Sequence, residues 1–158
     1  MSTTTTHDMN PDTVKKLTDL IRINEDSVKG FESALGSTDD ARIQELFRSV
    51  MQDRAKFGEE LRAYVQINEG NDDPTGSVSG AAHRWWLKAH ALFSSDEAVT
   101  VLKDAEAGED AIKHKYEDIL KETAGSPVND VLTRQYATVK SGHDRVRDLR
   151  DAYIAQKG

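Results

Sequence analysis

Four stretches of the sequence with helical spacing each place one polar residue near the middle of an otherwise largely apolar stripe. These residues, the predicted polar layer, are Asn24, Asp53, Glu109 and His143. Carboxylates and an imidazole that converge inside four helices can bind two iron or manganese ions. Glu60, at the edge of the second stripe, and Glu106, three residues before Glu109, can join the same level. The candidate ligands of a divalent metal ion (iron, manganese or zinc) are therefore Asp53, Glu60, Glu109 and His143, with Asn24 and Glu106 completing the layer.

A buried hydrogen-bond network is the favoured interpretation of this layer. A dinuclear metal site needs Glu-x-x-His on two helices, because residues i and i+3 lie on one helical face. Lys140 stands three residues before His143, so that motif is absent there. In the network, His143 donates a hydrogen bond to Glu109 or Asp53, Asn24 completes the set, and the layer fixes the helix register. A single mononuclear or weak metal site is the first alternative and a dinuclear site the second, since a buried carboxylate must be paired, protonated or metal-bound.

The elements that must position these residues are four long helices. The predicted helices begin at Asp12 or Thr13, at Asp39 or Asp40, after Ser94 to Asp96, and at Val128, and they end near Gly36, Asn68, Thr123 and Tyr153. The connections between them are short, long and short, and one long middle connection is typical of a ferritin-like bundle. The long connection contains a predicted short helix from Gly80 to Phe93.

The predicted fold is therefore all-α, a ferritin-like four-helix bundle with a short extra helix in the long crossover between helices 2 and 3. We expect residues 11–156 to form this single domain and the Thr-rich residues 1–10 to form a disordered tail. Asp110 and His114 are spaced i, i+4 beside the third stripe. We expect them to form a solvated pair on the helix surface.

Composition excludes several classes of function. The 158-residue chain carries a net charge of −7, which argues against a nucleic-acid partner and against binding to anionic membrane surfaces. It has no cysteine, so thiolate nucleophiles, disulfides and Cys-ligated metal sites are excluded. The N-terminal residues lack the features of a signal peptide, and no apolar run reaches membrane-spanning length. A cytoplasmic location is therefore expected.

Several longer segments of the chain also resemble a known family. The segments are LTDLIRINEDSVKGF, GSVSGAAHRWW, EAGEDAIKHKYEDIL and RQYATVKSGHDRVRDLRD. They are similar to an uncharacterised bacterial ferritin-like four-helix-bundle family, a domain of unknown function, over nearly the whole chain after the tail. The resemblance implies a ferritin-like fold without an established activity, and it makes Glu109 and His143 matching positions. Neighbouring ferritin-like families are associated with iron handling or stress responses.

These observations favour a non-enzymatic, stress-associated helical protein that acts through association with itself or a partner. Trp85 and Trp86 are adjacent on the predicted short helix and point about 100° apart, so one can pack on the bundle while the other meets a second subunit. A homodimer through this helix is the expected assembly. The competing hypothesis is a metal-binding protein or oxidoreductase that uses the predicted polar layer.

Overall fold

The computed structural model describes residues 11–69 and 97–157, and within these ranges it contains four helices and no strand. The helices are α1 (Pro11–Leu35), α2 (Ala41–Glu69), α3 (Ala98–Glu122) and α4 (Val128–Lys157). The predicted all-α architecture with four long helices is confirmed for this part of the chain. The predicted tail, the predicted short helix with Trp85 and Trp86, and the predicted cap at Ser94 to Asp96 lie outside the described residues.

The short connections are built from the residues that the sequence marks as helix ends. Asp40 caps α2, because its Oδ1 accepts hydrogen bonds from the backbone N–H groups of Arg42, at 2.9 Å, and Ile43, at 3.2 Å. Between α3 and α4, Gly125 has a φ of 86°, a left-handed conformation that glycine adopts without strain. Both turns therefore reverse the chain, and each makes an antiparallel helix pair.

The four helices pack side by side around a core that is divided into two apolar clusters. α1 packs mainly on α2 and α3 mainly on α4, with further contacts between α1 and α3 and between α2 and α4. One cluster joins the first half of α1 and the second half of α2 to the second half of α3 and the first half of α4. The other cluster joins the remaining halves, and in it the Phe31 and Phe47 rings meet edge to face at 5.1 Å.

This pairing of halves fixes the direction of each helix. α1 runs antiparallel to both α2 and α3, so α2 and α3 point the same way. The end of α2 and the start of α3 therefore lie at opposite ends of the packed helices. No helix within the described ranges is both long enough and apolar enough to cross a membrane.

Candidate functional site

A buried ion pair lies between the two apolar clusters, at the middle of the helices. Arg54 of α2 and Glu109 of α3 form it, and the side chain of each is only 1% exposed. The guanidinium donates through Nη1 to Oε1 of Glu109 at 2.8 Å and through Nη2 to Oε2. This two-pronged geometry matches the planar fork of arginine to the two carboxylate oxygens. Both oxygens of the buried carboxylate are thus neutralised and hydrogen-bonded by the protein itself.

Gly142 of α4 makes room for this ion pair. A Cβ atom at this position would lie 3.2 Å from Oε2 of Glu109 and 3.5 Å from Nη2 of Arg54. Glycine inside a helix is less favourable than alanine by about 1 kcal/mol, so its presence here has a steric reason. Three helices therefore build the central ion pair. α2 provides the cation and α3 provides the anion, and α4 has a glycine where a side chain would crowd the pair.

A second buried arrangement, the polar chain, runs through Asn24, Tyr116, Gln135 and Glu60, one residue from each helix. Asn24 donates through Nδ2 to the Tyr116 hydroxyl at 3.0 Å, and that hydroxyl donates to Oε1 of Gln135 at 2.7 Å. Gln135 then donates through Nε2 to Oε1 of Glu60 at 2.8 Å. Burial raises the pKa of Tyr116, so its hydroxyl stays protonated and remains a donor.

The outer end of the polar chain reaches solvent at Glu60. Arg134 donates to both of its carboxylate oxygens, at 3.2 and 2.5 Å. The hydrogen bond from Arg134 holds the pKa of Glu60 below its ordinary value, against the opposing effect of desolvation. Glu60 and Arg134 border an open groove of about 410 Å³, lined also by Lys56, Phe57 and Glu59. The polar chain thus leads from the centre of the core to this groove.

His143 lies at the edge of the core, with 13% of its side chain exposed. Its Nδ1 lies 3.1 Å from Oδ1 of Asp144, and its Nε2 lies 3.6 Å from Oδ1 of Asp110. The other oxygen of Asp110 lies 3.6 Å from Nδ1 of His114, and both of those side chains are at least half exposed. The expected solvated pair of Asp110 and His114 is therefore present.

The partners of the predicted polar layer differ from the expected ones. The hydrogen bond expected from His143 to Glu109 or Asp53 is not formed, because Arg54 holds both oxygens of Glu109 and the imidazole faces Asp110 and Asp144. Asp53 is half-buried and makes no hydrogen bond or ion pair within the described part of the chain.

The remaining candidate ligands are also held apart from one another. Glu106 pairs with Arg150, Glu60 pairs with Arg134, and Asn24 belongs to the polar chain. Within residues 11–69 and 97–157, no group of three or more His, Asp or Glu side chains is arranged to hold a metal ion. The candidate ligands are thus divided among separate environments, each with its own partners.

Sequence reasoning missed Arg54 and Gly142 because, at the middle of each stripe, it placed the adjacent residue, Asp53 or His143, in the core. The core-facing stripe of α2 passes through Arg54 and not through Asp53, and that of α4 passes through Gly142 and not through His143. The buried α2 stripe is Ile43, Phe47, Val50, Arg54, Phe57, Leu61 and Val65. A buried carboxylate such as Glu109 must be paired, protonated or metal-bound, and the first of these options was the available signal for a cation such as Arg54.

A comparison with models of protein families gives a match. A family model described as a domain of unknown function (DUF2383) matches residues 12–122, which include α1, α2 and α3 and therefore both members of the central ion pair. Gly142, in α4, lies beyond the match. No curated protein and no solved structure matches the chain. The resemblance to a domain of unknown function is confirmed, whereas its ferritin-like and bacterial character stay predictions.

Proposed function

The chain belongs to the DUF2383 family, a domain of unknown function, and we propose that it is a non-enzymatic, ferritin-like helical bundle that acts by association. The association is with a second copy of the chain or with another protein. The ferritin-like part of the proposal is supported by the helix directions. α2 and α3 run the same way, so the end of α2 and the start of α3 lie at opposite ends of the packed helices, as they do in a bundle with one long crossover.

The observation that carries the non-enzymatic part is the bidentate hold of Arg54 on Glu109. A carboxylate at the middle of a four-helix bundle is a natural metal ligand, but here a guanidinium occupies both of its oxygens. Removing one partner from a buried ion pair costs about 3–5 kcal/mol, and a metal that took Glu109 would have to overcome that cost. This arrangement supports a structural role for the central level of the bundle.

The association surface is proposed from the sequence, in the segment that carries Trp85 and Trp86. Among the described residues, the only large hydrophobic side chain that is exposed is Ile154, at 43%. Stable protein interfaces have an aromatic and apolar centre, which the described faces of the helices do not supply. The two adjacent tryptophans are the best remaining candidates for that centre. The association with stress, and the cytoplasmic location, remain predictions from the sequence.

Sedimentation of the purified chain tests the proposal. We expect the wild type to sediment as a homodimer, and Trp85→Ala or Trp86→Ala to shift it towards the monomer mass. Ile154→Ala is the matched control, because it removes an apolar side chain that lies outside the proposed surface. If the wild type is a monomer and captures no partner, or if neither tryptophan variant changes the mass, association through this segment is contradicted.

Elemental analysis separates this proposal from the competing metal-binding or oxidoreductase role. The protein is purified without chelators, and iron, manganese and zinc are measured per chain. We expect substoichiometric metal in the wild type, in Glu109→Ala and in His143→Ala. One ion per chain in the wild type that is lost in both variants would favour the competing role and overturn the structural assignment of this level.

A further inference from the structure

Three polar atoms at the central level are fully buried and have no hydrogen-bond partner among the described residues. They are Oδ1 of Asn24, Oγ of Ser27 and Nε of Arg54, and Nε of the half-buried Arg22 of α1 is a fourth such atom. The first three residues are 0%, 1% and 1% exposed, so bulk water does not reach them. Buried polar atoms without a partner are rare in folded proteins, because each gives up its hydrogen bonds to water without replacing them. Three in one region call for a common partner.

The helix geometry places these three residues on facing turns of α1 and α2. Asn24 and Ser27 are spaced i, i+3 on α1 and therefore lie on one face. Gly58 of α2 lies opposite Asn24, since a Cβ on Gly58 would be 3.9 Å from the Cβ of Asn24. Arg54 lies one turn before Gly58 on α2, and Ser27 lies one turn after Asn24 on α1. Because α1 and α2 are antiparallel, Arg54 and Ser27 are on facing turns. The three buried side chains thus start from facing turns of α1 and α2.

We propose that one buried water molecule binds here as a fixed part of the fold. Arg54 Nε–H is a donor, Asn24 Oδ1 is an acceptor, and the Ser27 hydroxyl can act as either. A water can accept from Arg54 and donate to Asn24 and Ser27, which makes the three hydrogen bonds typical of buried waters. An anion would be repelled by Glu109, which is already beside Arg54, and a cation would be repelled by the guanidinium. A small neutral molecule that both donates and accepts fits the site.

The water has a consequence for the whole bundle, because it joins two separate arrangements. Arg54 belongs to the central ion pair, and Asn24 begins the polar chain that ends at Glu60. A water between Arg54 and Asn24 therefore makes one continuous hydrogen-bonded path through all four helices, from Glu109 to the groove. This inference does not depend on the proposed association.

Water–protein NOE spectra of the 15N-labelled full chain, together with a high-resolution crystal structure, test the site. In the wild type we expect a cross-peak between water and Hε of Arg54, and an ordered solvent peak about 3 Å from Arg54 Nε and Asn24 Oδ1. Ser27→Val removes the hydroxyl and fills the space, so the cross-peak should be lost. The control is Ser33→Val, the same change at an exposed position of α1, and it should leave the cross-peak unchanged.

Two results would overturn the proposal. One is the absence of both the cross-peak and the solvent peak in the folded wild type. The other is a cross-peak that keeps its full intensity in Ser27→Val. Circular dichroism establishes that each variant is folded, and if Ser27→Val does not fold, the wild-type spectra and density decide the question alone.

Discussion

Gly142 of α4 faces the carboxylate of Glu109 of α3 so closely that a Cβ atom would lie 3.2 Å from Oε2. The carboxylate cannot readily move away, because Arg54 holds both of its oxygens inside a packed core. The buried ion pair therefore needs the space beside Gly142, and this need explains why a glycine stands in the middle of α4.

Gly142→Ala tests this relationship. An alanine would gain about 1 kcal/mol of helix propensity but would crowd the ion pair, and overpacking a core costs about 1–3 kcal/mol. We expect a net loss of stability, measured as a lower free energy of unfolding in urea. Gly108→Ala is the matched control, because a Cβ at Gly108 meets nothing within 4 Å. That control should be stabilised by up to about 1 kcal/mol. Equal gains in both variants would contradict the steric role of Gly142.

Tyr116→Phe tests the polar chain. The change removes a hydroxyl that accepts from Asn24 and donates to Gln135. One N–H of the Asn24 amide and Oε1 of Gln135 then lose their partner, while Asn24 Nδ2 still donates to the backbone oxygen of Leu20. We expect a loss of about 1–3 kcal/mol per unsatisfied group, seen in urea unfolding. Tyr136→Phe is the comparison, since the Tyr136 hydroxyl bonds to Glu117 in a partly solvated position and water can replace it. A smaller effect at Tyr116 than at Tyr136 would contradict a chain of buried hydrogen bonds.

The pH dependence of stability tests the contact between Asp40, at the start of α2, and Tyr153, near the end of α4. The hydrogen bond from Tyr153 holds the pKa of Asp40 below its ordinary value of 3.8, and the backbone N–H groups of Ile43 and Arg42 add to the effect. Because the folded-state pKa is the lower one, this stabilisation is present above the unfolded pKa and is lost as the pH falls through the folded pKa.

Asp40→Asn isolates this contribution, because asparagine keeps the helix cap but carries no charge. We expect the wild type to have the higher free energy of unfolding near pH 6, and the difference to shrink as the pH falls below about 4. Asp39→Asn is the control at the neighbouring exposed residue. A difference that is constant from pH 6 to pH 2, or one that grows in acid, would contradict the assignment.

Much of the fold could be predicted from the spacing of apolar residues and from the helix caps. The apolar stripes predicted the four helices, and the expectation that Asn24 and Glu109 face the core is confirmed, since they are 0% and 1% exposed. Asp40 and Gly125 were recognisable as helix-end residues because caps and turns depend on local chemistry. The long middle connection also appears in the sequence as a gap between stripes.

The partners in the core could not be predicted in the same way. Arginine is seldom buried, so a stripe that passes through Arg54 looks less probable than one through Asp53, although only one residue separates them. Gly142 adds nothing to an apolar stripe, so the spacing predicts the neighbouring His143 at that place. Adjacent residues on a helix point about 100° apart, so an error of one residue at the middle of each stripe gives Glu109 an imidazole as its predicted partner in place of the guanidinium.

The central claim is that Arg54 neutralises Glu109 inside the bundle, and a double-mutant cycle with Arg54→Met and Glu109→Leu measures it most directly. Each single change leaves a buried charge alone and should lower the free energy of unfolding by about 3–5 kcal/mol. The double variant should lose far less than the sum, because it leaves no charge unpaired. Single effects that add to within about 0.5 kcal/mol would contradict the ion pair.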